Sequence, residues 1–124
     1  LLVGIAIELL RGEIAYRSGS YLQAITHFSA AVEQQDSLPY TEPPFWYYPT
    51  RQSLGAAMMA NGDAQEAEAV FRRDLELYPH NGWSMFGLMQ SLRAQDKNDQ
   101  ADEVQVHFEK AWQFADVELT AAVL

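Results

Sequence analysis

Two stretches of the chain carry the same small residues at the same spacing. Gly12, Gly19 and Ala24 are repeated 43 residues later as Gly55, Gly62 and Ala67. Apolar residues around each string recur with helical period, and no alternating strand pattern competes with them. A glycine just past a helix admits the left-handed backbone that turns the chain, and Ser20 and Asp63 suit the N-cap of the helix that follows. The spacing therefore predicts two helices joined by a tight turn, made twice. Ala101 follows Ala67 by 34 residues and belongs to a third such unit, whose turn is Asp96-Lys97-Asn98-Asp99.

Across the chain this periodicity predicts six amphipathic helices, at about 2–17, 21–35, 46–60, 64–77, 83–95 and 98–115. The fold class is all-α. Where paired helices cross, Gly or Ala lets the backbones approach, while Leu54, Met58 and Phe71 fill the flanking grooves. Between Ala24 and Ala67 the chain is nine residues longer than between Ala67 and Ala101, and the excess falls in a segment where Pro39, Pro43 and Pro44 forbid a continuous helix. A long loop is expected there.

From Leu54-Gly55 through Met58, Gly62, Ala67 and Phe71 to Pro79, the middle unit resembles the tetratricopeptide repeat family, whose period is about 34 residues. It departs from the family pattern at Asp74, where a small residue is usual. The first unit keeps Gly12, Gly19, Ala24, Phe28 and Ala31, with Arg11 and Ala15 in place of larger apolar residues. The third keeps Leu88, Leu92 and Ala101, has Asp96 at its turn, and runs out of phase in its last helix, where Phe108 and Ala111 fall late. The resemblance implies one domain over 1–124: three antiparallel helical hairpins stacked as a right-handed superhelix, an α-solenoid. Its repeats would span about 2–36, 47–80 and 81–115, with a loop at 36–46 and a tail at 116–124. The string EPPFWYYPTRQSLG, the run Asn81-Gly82-Trp83 and the segment from Ala111-Trp112 to Asp116 are similar to a C-terminal module of larger bacterial tetratricopeptide proteins, from which no biochemical activity carries over.

In that family the first helix of each hairpin lines a concave groove. Matched by phase, the groove positions here are Leu9, Glu13 and Tyr16, then Gln52, Ala56 and Met59, then Trp83, Phe86, Gln90 and Arg93. Members that grip a C-terminal carboxylate use Lys, Asn and Arg at such places, whereas these are mainly apolar, Gln or acidic. The resemblance thus implies a protein-protein interaction module that holds a partner protein or an extended or helical peptide through apolar anchors. The alternative is a structural end segment of a longer array or a homodimerisation module, because the start LLVGIAI leaves an apolar face to be covered. Leu1 in place of a starting Met suggests a domain of a longer protein.

Other functions find little support. Lys and Arg number 8 against 17 Asp and Glu, a net charge of −9, and no basic block is present to neutralise a phosphate backbone, so nucleic acid is not an expected partner. The apolar start is broken by Glu8, Arg11 and Glu13, too soon to span a bilayer, so no membrane insertion is expected of it. Without cysteine there is no thiolate chemistry, and His27, His80 and His107 stand apart from any second ligand at metal spacing. No nucleophile and base pair and no phosphate loop occurs, so no enzyme and no cofactor is expected. The compartment stays open.

Several residues carry structural expectations. Asp74, beside Arg72 and Arg73, calls for a partly buried ion pair or a hydrogen bond to the Asn81-Gly82 turn. Phe45-Trp46-Tyr47-Tyr48 is expected to pack the long loop, with Pro49 early in the next helix. Trp83 and Trp112 are expected in the core, and the tail from Val117 to Leu124 against the last helix or a neighbour.

Overall fold

A computed structural model describes residues 2–37, 49–79 and 81–112. Among them the structure is all-helical, with no strand. The helices are α1 (Leu2–Arg17), α2 (Tyr21–Asp36), α3 (Thr50–Ala60), α4 (Ala64–Leu77), α5 (Gly82–Ala94) and α6 (Asn98–Trp112). The described part of α3 begins at Thr50 with Pro49 at its N-cap, not within its first turn as expected. The expected start of α3 at 46, the end of α6 at 115, the aromatic run from Phe45 to Tyr48, His80 and the tail lie outside the described residues, as does the side chain of Trp112.

Three turns close with the same pair of backbone hydrogen bonds. Gly19 and Ser20 donate to Tyr16 and Ala15, Gly62 and Asp63 to Met59 and Met58, and Asp96 and Lys97 to Arg93 and Leu92. These bonds satisfy carbonyls that a helix end would otherwise leave open, and they require a left-handed residue. Gly19 (φ 79°) and Gly62 (φ 86°) supply it without steric cost, whereas at the third turn Asp96 takes the same conformation at φ 60°. Ser20 and Asp63 occupy the expected N-cap positions, but neither side chain makes a capping hydrogen bond. Asp63 instead accepts from the Asn61 side-chain amide at 2.8 Å.

Each helix packs against the next in the chain, and α3 also meets α1 and α5. Two buried clusters result. Ala15, Ala24, Phe28, Leu54 and Ala57 join α1, α2 and α3, and Ala67, Phe71, Leu88, Leu92 and Ala101 join α4, α5 and α6. Met58 of α3 packs against both. The aromatic rings need the glycines opposite them: a Cβ on Gly12 would lie 2.4 Å from the Phe28 ring, and a Cβ on Gly55 or Gly87 would lie 2.4 Å from that of Phe71. Phe71 is thus wedged between α3 and α5, and its full burial stabilises the fold by about 2–3 kcal/mol before the cost of any cavity is counted.

Surrounded in this way, α3 is buried on every side from Thr50 to Ala57. Its polar side chains are consequently partnered. The Thr50 hydroxyl donates to the Gln35 side chain of α2, and the Arg51 guanidinium meets the Asp36 carboxylate at 2.5 Å.

Candidate functional site

The positions singled out on α1, α3 and α5 fall into three groups. Tyr16, Met59, Trp83 and Gln90 are half-buried, each presenting part of its side chain to solvent. Tyr16 rests against the Phe28 cluster and Met59 against the Phe71 cluster, so each is fixed by the core beneath it. The Tyr16 ring also meets Tyr21 of α2, with centroids 5.7 Å apart and planes tilted by 60°. Burial, then the neighbouring Tyr21 and Glu13, push the Tyr16 hydroxyl above the usual tyrosine pKa, so it remains a neutral phenol able to donate and accept. Glu13, half-buried, is held by the Arg17 guanidinium at 3.0 Å. Leu9 is half-buried on the same cluster as Tyr16.

A second group is engaged by α6. The Phe86 ring lies 5.7 Å from that of Phe108, tilted by 41°. Arg93, exposed, donates to Asp102 at 2.9 Å and to Gln105 at 2.8 Å. Its charge is therefore already met by a carboxylate within the chain.

The third group is a correction. Gln52 and Ala56 are 6% and 5% exposed, so neither offers a surface to a partner. Their phase on the helix matches that of the half-buried positions, but α3 is contacted by α1, α2, α4 and α5 and so has little free side left.

Trp83 owes its place to a buried polar network. Asp74 of α4, only 2% exposed, accepts hydrogen bonds from the Ser84 hydroxyl and, at 3.0 Å, from the Asn81 side-chain amide. The Asn81 side-chain oxygen Oδ1 caps α5, accepting from the backbone N–H of Trp83 at 3.1 Å and of Ser84 at 3.4 Å. Burial pushes the Asp74 carboxyl above its usual pKa, partly offset by the Ser84 hydrogen bond, the charge of the buried Arg51, and Asn81. The expected link from Asp74 to the Asn81-Gly82 turn is present. The expected pairing with its neighbours is not, because Arg72 binds Glu68 at 2.8 Å and Arg73 binds Glu76 at 2.9 Å. Asn81 at an N-cap is a signal the sequence carries, whereas nothing local marks Ser84 or Arg51 as partners of Asp74.

Elsewhere, a shallow cleft of about 240 Å³ between α1 and α2 is lined by Arg11, Ile14, Ala15, Ser18, Ser20, Gln23 and His27. The His27 ring stands 2.8 Å from Glu8, and both side chains are half-buried. Among the described residues no three His, Asp or Glu side chains are grouped to hold a metal ion, and no helix is long and apolar enough to cross a membrane. Chemically, the half-buried positions offer apolar and aromatic contact with amide and phenol hydrogen bonding. No family model, curated protein or solved structure matches the chain.

Proposed function

We propose that the chain is a protein-interaction module of the tetratricopeptide type, with three stacked helical hairpins whose first helices α1, α3 and α5 line a groove for a partner peptide. The observation that carries this reading is the order of contacts: α3 touches both α1 and α5, while each of the three turns, closed by the same pair of backbone hydrogen bonds, returns the chain to a partner helix. A groove between α1, α3 and α5 is the surface such an order leaves for ligands. Tyr16, Met59, Trp83 and Gln90 are its contact residues, with Glu13 and Phe86 at its margins. Aromatic side chains seated on a core bind at low entropic cost, and the adaptable thioether of Met59 moulds to an apolar anchor of an extended or helical peptide.

The test is to select binders from a displayed random peptide library and to measure one by calorimetry. Tyr16→Ala and Met59→Ala should each weaken a selected peptide by about tenfold or more at unchanged helical circular dichroism. Peptides whose affinity ignores both substitutions would refute the groove.

A further inference from the structure

Asp74 is buried at a place where the helical frame does not call for a charge. The spacing that carries Gly12 onto Gly55 carries Ala31 of α2 onto Asp74 of α4, and the two are 0% and 2% exposed. An alanine fills the same place in α2, and a buried carboxylate needs partners that alanine does not. The cations beside Asp74 on its own helix are taken, Arg72 by Glu68 and Arg73 by Glu76. α5 brings it the Ser84 hydroxyl and the Asn81 amide, neither of them charged. The charge that faces it comes from α3, as Arg51.

Arg51 stands eleven residues before Gly62 and Asp74 twelve after it, which sets the two level across the turn that folds α4 back on α3. The Arg51 side chain, 8% exposed, is nevertheless paired with a different acid, Asp36 at the end of α2, at 2.5 Å. Its charge reaches Asp74 through space, where it opposes the effect of burial. One guanidinium thus serves two carboxylates on two different helices. Its fork of five N–H donors can turn from one acid to the other, and burial makes it costly to leave that charge without either.

The two acids are unequal in a way that matters. Asp36 has a side chain 49% exposed and is open to any cation arriving from solvent, whereas Asp74 is sealed. Neutralising Asp36 from outside weakens its hold, and in the low dielectric of the interior the released guanidinium is drawn to the carboxylate that remains. Thr50, whose hydroxyl donates to Gln35, keeps α3 docked on α2 whichever acid Arg51 serves.

We propose that Arg51 is a shared counter-ion for which α2 and α4 compete: paired with Asp36 it leaves the Asp74 carboxylate to Ser84 and Asn81, and once Asp36 is neutralised it turns to Asp74. Because Asn81 also caps α5 at the backbone N–H of Trp83, the choice is passed to the first turn of α5. An effect on a bound peptide rests on the groove reading above; the exchange itself does not, and it is tested on the free chain. Asp36→Asn, at an exposed side chain, mimics the neutralised state. Followed by NMR across pH, it should lower the Asp74 pKa by about 1 and shift the titration seen at the Trp83 and Ser84 amides by the same amount. The Arg51 Nε–H signal should follow the Asp74 titration in the variant and do so much less in the unaltered chain, as a guanidinium that has moved into contact requires. An Asp74 pKa that stays in place or rises in Asp36→Asn, or an Arg51 signal in the variant indifferent to Asp74, would overturn the exchange.

Discussion

α1 and α3 are alike in what they place opposite an aromatic ring and opposite in what surrounds them. In α1 Gly12 receives Phe28, and in α3 Gly55 receives Phe71, at the same 2.4 Å from a notional Cβ. Yet α3 is buried from Thr50 to Ala57, while α1 leaves Val3, Ile7, Leu10 and Ile14 in solvent. The residues follow the surroundings. Where a neighbour closes in on both sides the helix carries Thr, Ser, Gly and Ala with partnered polar groups, and where one side is open it carries Ile and Leu. Both helices bury a hydrophobic face, and how much more of each is buried is set by its place among its neighbours.

That contrast can be broken at its strongest point by removing Phe71, which fills the space between α3 and α5. Phe71→Ala should lower stability to urea by about 4 kcal/mol, and a loss under about 1 kcal/mol would mean that α3 is not held from that side. A smaller effect is expected at the polar junction beside it. Asp74→Ala leaves the Ser84 hydroxyl and the Asn81 amide without their buried acceptor and should cost about 2 kcal/mol, whereas Asp74→Asn keeps an acceptor and should cost less.

The pH dependence of Asp74 carries a sign. Its folded pKa is raised, so the folded state holds that proton to higher pH than the unfolded chain does, and its contribution falls as pH rises from the ordinary Asp range through the raised value. Asp74→Asn should remove that fall in a pH series of denaturation curves. Glu68 has the opposite sign and the smaller effect. The Arg72 hydrogen bond chiefly, with Lys97 and Gln95 and against burial, lowers its pKa from 4.5 to about 2, so its contribution is complete above 4.5 and is lost as pH falls toward 2. Since Arg72 and Lys97 are open to solvent, Glu68→Gln should cost about 1 kcal/mol at neutral pH and much less near pH 2.

Much of the helical frame was legible because it rests on local chemistry. Gly19 and Gly62 mark left-handed turns by residue type, and Gly12 and Gly55 with Phe28 and Phe71 mark close crossings by spacing. Asp74 was legible as an oddity needing a partner, and the Asn81 turn lay close enough in sequence to be named. Its hydrogen bond from Ser84 and the charge of Arg51 were not, since they come from α5 and α3. At the candidate site the same limit applies. Helical phase put Gln52 in line with Tyr16, but four neighbours bury it; phase put Phe86 and Arg93 toward a partner, but Phe108 and the Asp102 carboxylate on α6 engage them. Periodicity assigns a side of a helix, and only the surrounding elements decide whether that side is free.

The most direct test exchanges the residues that differ between the two faces. Ser53→Leu gives α3 the residue of α1, and Leu10→Ser gives α1 the residue of α3. Measured by urea denaturation at a concentration where the chain is monomeric, Ser53→Leu should cost about 2 kcal/mol or more from overpacking, while Leu10→Ser should stay within about 0.5 kcal/mol. Equal costs, or a larger cost at Leu10, would show that the α1 face is covered within the chain and contradict the difference between α1 and α3.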